Sequence, residues 1–215
     1  MKLWLDTVDI NGVLKGNKLG ILSGVTTNPT LIAESKRHVK PVLHDLLYHQ
    51  KGPVTVQVVG DIAEEMVREG REYFSFSDRL IIKIPVTPNG LEAIHLLSNL
   101  EIPTMGTAVF NSKQALLAAL AGADYIAPYL GRIEREGENP WELLKSVLKI
   151  FQNGQFKTKI LAASLPSCDY VIRCAEIGIH AVTVKESVFE KLIETDPLTE
   201  KAVEKFNSDW RGNTL

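Results

Sequence analysis

One lysine in the 215-residue chain is set where a lysine is costly. Lys83 is flanked by Ile81, Ile82, Ile84 and Pro85, in a run that reads as a buried strand. An ammonium ion buried there is strongly destabilised unless it is paired or gives up its proton. An amine made neutral by desolvation attacks a ketone carbonyl and forms an imine. Once protonated, the imine draws electrons from the neighbouring C–C bond and allows it to cleave. The same chemistry needs a group to move protons during carbinolamine dehydration and at the substrate hydroxyl. Asp6, Tyr129 and a water held by Gln57 and Thr107 are the candidates. Each residue alone has a plainer reading. A lysine at a strand end usually snorkels to solvent. An Asp, Thr or Asn after a strand is usually a helix N-cap, which suits Asn28 before Pro29. Gln57 and Tyr129 could satisfy each other in a packed core.

The elements that must position these residues alternate along the chain. Short β-branched runs read as strands over Lys2–Asp6, Gly24–Thr27, Val54–Val59, Leu80–Ile84, Pro103–Val109, Tyr125–Pro128, Lys159–Ala163 and Ala181–Val184. Amphipathic stretches between them predict helices over Val39–Gln50, Ala63–Phe74, Pro88–Leu100, Asn111–Ala121, Pro140–Asn153 and Ser167–Ile177. Val8–Leu22 reads as one short helix with loops, and Glu186–Trp210 as two helices broken near Pro197. Such alternation means a mostly parallel sheet covered by helices, and eight strands fit a closed (β/α)8 TIM barrel. The competing open doubly wound sheet would show a glycine-rich phosphate loop after its first strand, and none occurs. The whole chain, 1–215, is expected to form one barrel domain, with 199–210 an additional C-terminal helix.

Strand parity then decides which side chains face the lumen. Ile82 and Ile84 suit the helix layer, which turns Lys83 inward with Ile81. Val54, Val56 and Val58 fall together and leave Thr55 and Gln57 facing in. Leu3 and Leu5 leave Trp4 and Asp6. Thr26 and Asn28 share a side near the end of the second strand; Thr107 lies on the fifth, Tyr129 just beyond the sixth, and Ser164 just beyond the seventh. Seven of the eight strands thus send a polar group inward or to the C-terminal mouth, where active sites of such barrels assemble.

Composition narrows the field. Apolar residues make up 45% of the chain and charged residues 23%, ordinary for a soluble domain. A net charge of −2 lacks the basic stripe of a nucleic-acid binder. No apolar run reaches the length of a membrane span, and the N-terminus lacks a signal-peptide core. The expected address is the cytoplasm, with Cys168 and Cys174 as reduced thiols. His38, His44, His49, His95 and His180 fall outside the strand tips and show no ligand spacing, so neither a metal nor another cofactor is expected.

Several ordered segments resemble one family nearly end to end. They are LDT at Leu5–Thr7, GVTTNPT at Gly24–Thr30, IKIPVT at Ile82–Thr87, GTAVF at Gly106–Phe110, APYLGR at Ala127–Arg132, LAAS at Leu161–Ser164 and KFNSDW at Lys205–Trp210. Together they resemble the small transaldolases. The resemblance implies a (β/α)8 barrel with a Schiff-base lysine at Lys83 and an acidic partner at Asp6. It also implies substrate contacts at Thr26 and Asn28, phosphate contacts at Arg132 and Ser164, and sugar or sugar-phosphate substrates. Two activities share this scaffold: transfer of a dihydroxyacetone unit between sugar phosphates, and aldol cleavage of fructose 6-phosphate to free dihydroxyacetone and glyceraldehyde 3-phosphate. Transaldolases typically carry Glu in place of Gln57 and Phe in place of Tyr129, so the resemblance favours the metal-independent class I aldolase. A non-catalytic sugar-phosphate-binding barrel is the third reading. The family usually carries Lys or Arg where this chain has Pro166; losing that cation should weaken phosphate binding and opens the acceptor to a different aldehyde. In such relatives the final helix packs on a neighbouring subunit in pentamers or decamers. Val203, Phe206 and Trp210 offer a stripe suited to that, and equally to packing on the same barrel.

Overall fold

β-Branched runs too short for a helix become strands here, and the longer amphipathic segments between them become the helices that cover the sheet. The computed structural model describes residues 1–212; residues 213–215, the end of the expected domain, lie outside the described residues. The strands are β1 (Lys2–Asp6), β2 (Leu22–Thr26), β3 (Val54–Gln57), β4 (Leu80–Pro85), β5 (Thr104–Val109), β6 (Tyr125–Pro128), β7 (Lys159–Ala162) and β8 (Ala181–Val184). The helices are α1 (Ile10–Lys18), α2 (Pro29–Glu34), α3 (Val39–His49), α4 (Ala63–Phe74), α5 (Pro88–Asn99), α6 (Ser112–Leu120), α7 (Leu130–Arg135), α8 (Pro140–Asn153), α9 (Cys168–Ile177), α10 (Glu186–Leu192) and α11 (Pro197–Gly212). All strand pairs are parallel and follow chain order. Pairing of β1 with β8, from Lys2 opposite Ala181 to Leu5 opposite Val184, closes the barrel. The expected (β/α)8 architecture with an extra C-terminal helix is the fold.

Two apolar layers follow from the strand parity. Ile82, Ile84, Val54, Val56 and Leu5 belong to the larger core between strands and helices. Trp4, Ile81, Met105, Ala127 and Leu161 fill the lumen instead, with Tyr125 and Tyr129 packed against them. The Trp4 indole needs room, and its register partner on β2 is Gly24. A Cβ on Gly24 would lie 2.8 Å from the indole and from the Pro53 carbonyl, so only glycine fits.

The differences from the sequence reading are local. β2 starts at Leu22 rather than Gly24, and β3 stops at Gln57 rather than running to Val59. Two six-residue helices, α2 and α7, stand where connections were expected. α2 starts because Asn28 accepts a hydrogen bond from the Leu31 backbone N–H at 3.0 Å, with Pro29 in the first turn. The break near Pro197 is present, between α10 and α11. Among the described residues no helix is long and apolar enough to cross a membrane.

Candidate active site

The C-terminal ends of the strands surround a cavity of about 420 Å³. It brings together Asp6, Thr26, Asn28, Gln57, Lys83, Thr107, Tyr129, Arg132 and Ser164, every residue singled out from the sequence. They come from seven strands and the loops that follow them. β8 adds what parity reading missed: Thr183 and, one residue past the strand, Lys185. The convergence therefore extends to all eight strands.

Lys83 is buried to 5% exposure at the floor of this cavity. Its Nζ donates to the Thr27 carbonyl at 2.8 Å. That carbonyl is held in place because the Thr27 hydroxyl donates to the Thr55 carbonyl at 2.7 Å and the Thr55 hydroxyl accepts from the Thr27 N–H. An ammonium ion has three protons to satisfy, and this is the single protein acceptor it meets among the described residues. Burial accordingly lowers the amine from 10.5 to about 8, and the nearby Asp6 charge limits the fall. At pH 7 roughly a tenth of the amine is then neutral, against well under a thousandth for an ordinary lysine.

Asp6 is held by other groups. Its Oδ1 accepts from the Thr26 hydroxyl at 2.8 Å, and its Oδ2 lies 3.4 Å from the Asn28 amide nitrogen. Thr26 is also 2.7 Å from the Thr183 hydroxyl. Asp6 thus acts on Lys83 through space and makes no direct ion pair with it among the described residues. The expected Asp6–Lys83 partnership is electrostatic rather than a contact.

Tyr129 faces the cavity from just beyond β6, and its hydroxyl is 2.8 Å from the Thr107 hydroxyl. Phe110 meets the ring edge-on at 5.7 Å, and the Arg132 guanidinium lies 4.9 Å from its centroid. Tyr129 and Gln57 do not satisfy each other; the phenol pairs with Thr107, and Gln57 faces the cavity. The arrangement offers a partly neutral amine, a fixed carboxylate and a hydroxyl pair around one space.

Two non-glycine residues at strand tips lie in the left-handed region, Ala108 at φ 55° and Ser164 at φ 60°. Both line the cavity, and each such backbone costs of order 1 kcal/mol or more. Ser164 is clamped: its carbonyl accepts from the Gly131 N–H at 2.9 Å. A Cβ on Gly131 would lie 2.5 Å from that oxygen, so glycine is required where α7 meets β7. The clamp holds the start of α7 against Ser164, and Arg132 follows on that helix and lines the same cavity. Arg135, one turn further along α7, also reaches the cavity, as does Glu34 at the end of α2. Among the described residues no group of three or more His, Cys, Asp or Glu side chains is arranged to hold a metal ion.

Comparison with known proteins follows the same lines. Residues 3–213 match the family model described as transaldolase/fructose-6-phosphate aldolase. A probable transaldolase of Clostridium kluyveri is 40% identical over 210 residues, covering 98% of this chain and 97% of the relative. Probable transaldolases of a Thermoanaerobacter species and of Kosmotoga olearia are 37% and 40% identical, each over 98% of this chain and 97% and 96% of the relative. Among solved structures, a mandelate oxidase mutant carrying an FMN adduct aligns with a TM-score of 0.56 at 12% identity, over 85% of this chain and 62% of that one. That likeness concerns the barrel alone. On the near-complete match to the family model and to these relatives, the chain belongs to the transaldolase/fructose-6-phosphate aldolase family.

Proposed function

We propose that the chain is a Schiff-base aldolase that interconverts fructose 6-phosphate with dihydroxyacetone and glyceraldehyde 3-phosphate, with Lys83 as its nucleophile. The observation that carries this is the depressed, buried Lys83 amine opening onto a polar cavity. Neutral Lys83 attacks the ketone carbon, and the carbinolamine loses water to give an iminium. Removal of the C4 hydroxyl proton lets the C3–C4 bond break, its electrons passing to the iminium nitrogen. The aldehyde leaves and an enamine remains. A proton delivered to C3 and hydrolysis of the new iminium free dihydroxyacetone and restore the amine. Asp6, fixed by Thr26 and Asn28, holds the donor hydroxyls and handles protons with a water positioned by Gln57 and Thr107. Tyr129, its hydroxyl set by Thr107, is the proton donor to the enamine.

The second reading is transfer, in which an aldose phosphate captures the enamine before it is protonated. The names of the relatives, probable transaldolases, favour it. Tyr129 and Gln57 favour release, because a phenol and an amide-held water quench and hydrolyse the enamine. The chain is further proposed to work in the cytoplasm, which its two free thiols suit, as a pentamer or decamer. Leu198 and Phe206, exposed at 74% and 66% on α11, support docking of this helix on a second copy.

The first experiment is incubation with dihydroxyacetone, borohydride reduction and peptide mapping by mass spectrometry. An adduct on Lys83 is expected. Folded protein that yields none, across pH and ketone donors, would refute the mechanism and leave a non-catalytic sugar-phosphate-binding barrel. With the adduct in hand, release of free dihydroxyacetone against transfer to an aldose phosphate separates the two enzymatic readings.

A further inference from the structure

Behind Lys83 the sheet departs from its regular pattern. β2 and β3 share one register pair, Val25 with Val54, and there the Val25 N–H donates to the Pro53 carbonyl at 3.0 Å. Continued regularly, a parallel ladder would next join the Thr27 N–H to the Thr55 carbonyl and give the Thr27 carbonyl a backbone N–H of β3. Side chains take over that rung instead. The Thr27 N–H donates to the Thr55 hydroxyl at 3.1 Å, and the Thr27 hydroxyl donates to the Thr55 carbonyl at 2.7 Å. Both threonines are buried, at 1% and 0% exposure, and neither lines the cavity. The exchange turns the Thr27 carbonyl to Lys83, whose Nζ donates to it at 2.8 Å. The lysine reaches this oxygen across β3, where its own register partner is Gln57. A neutral amine has two N–H bonds and one lone pair, so a fixed acceptor behind it limits where the lone pair can point. A protonated imine has a single N–H, and the same carbonyl suits it.

We propose that Thr27 and Thr55 are positioning residues of the Schiff-base chemistry: their crossed hydroxyls hold the Thr27 carbonyl as acceptor for the Lys83 nitrogen, first as amine and then as protonated imine. For the imine this rests on the aldolase reading; the hold on the free amine does not. An oxygen that accepts from a cation favours the protonated form. In the amine it works in the same direction as the Asp6 charge, against the fall that burial causes. In the imine it favours the electron-withdrawing form that lets the C–C bond break. The charged and titratable groups around the cavity are Asp6, Glu34, Tyr129, Arg132, Arg135 and Lys185. Of these Asp6 alone moves the Lys83 amine. Substitution at position 27 or 55 alters none of these charges, so a shift in the amine would come from the carbonyl.

The test uses Thr27→Val, Thr55→Val, Thr55→Ala and Thr55→Ser in the intact protein. Trace acetylation of Lys83 by acetic anhydride, followed across pH by peptide mass spectrometry against an internal amine standard, reads the neutral amine without any substrate. Loss of the fixed acceptor destabilises the ammonium, so the acid limb should move down by about 0.5–1 pH unit in the three variants that delete a hydroxyl. Their kcat for cleavage of fructose 6-phosphate should fall about tenfold, because less of the imine is protonated. Thr55→Ser keeps the hydroxyl and should restore both. Alanine needs less room than threonine and reads the position if valine prevents folding. An unmoved limb in the folded variants would overturn the positioning role, even with a fall in kcat, since packing alone would then account for the loss. A shift in Thr55→Ser as large as in Thr55→Val would overturn it too. Borohydride trapping with dihydroxyacetone, run on the same samples, reports on the aldolase reading separately. A wild-type adduct on Lys83 with an unmoved limb sinks the positioning role alone; a moved limb without an adduct sinks the aldolase reading and leaves the hold on the amine.

Discussion

Replacing Lys83 by methionine should make the protein more stable near neutrality while removing its activity. The unbranched side chain of methionine fills nearly the same space without an ionisable group. In the folded protein the amine titrates at about 8 instead of 10.5. Because the folded-state value is depressed, the unfolded chain holds more protons between those two limits. The stability penalty is therefore full below pH 8 and is relieved as pH rises toward 10.5. At about 1.4 kcal/mol per pH unit the full penalty is about 3 kcal/mol, and at pH 9.5 about 1.4 kcal/mol of it remains. Loss of the Lys83–Thr27 hydrogen bond works the other way by about 1 kcal/mol. Urea unfolding of wild type and Lys83→Met, at one protein concentration from pH 6.5 to 9.5, should give a difference that shrinks by about 2 kcal/mol across that range. A difference that stays constant with pH would refute the argument that Lys83 is held partly neutral by burial. Wild-type kcat/KM should rise tenfold per pH unit and level off near pH 8 for the same reason.

Tyr129→Phe removes the hydroxyl that pairs with Thr107 and should depress release of free dihydroxyacetone more than transfer to a sugar acceptor; equal losses in paired assays would count against the phenol as proton donor. Gly131→Ala drives a methyl group to 2.5 Å from the Ser164 carbonyl and should cost about 1–3 kcal/mol in chemical unfolding; a neutral result would mean the clamp yields easily. Phe206→Glu, placing a charge on the exposed face of α11, should reduce the sedimenting mass in analytical ultracentrifugation with little change in thermal stability of the released subunit. An unaltered assembly would place the subunit contact elsewhere.

The fold was legible because parity and periodicity both reach the surface of the sequence. Ile82 and Ile84 could face only the helix layer, so Lys83 had to face inward, and it does. What stayed hidden has physical reasons. α2 and α7 span six residues each, too few to show a helical period, and Gly131 reads as a breaker although a close backbone approach is what requires it. Arg135 was lost with α7, since only a helix brings it onto the face of Arg132. Thr183 shared parity with Ala181 but was hidden in a strand of small apolar residues, and Lys185 fell one position outside it. The acceptor of Lys83 is a backbone carbonyl, which no side-chain pattern records. The left-handed Ala108 and Ser164 are likewise invisible in residue identity.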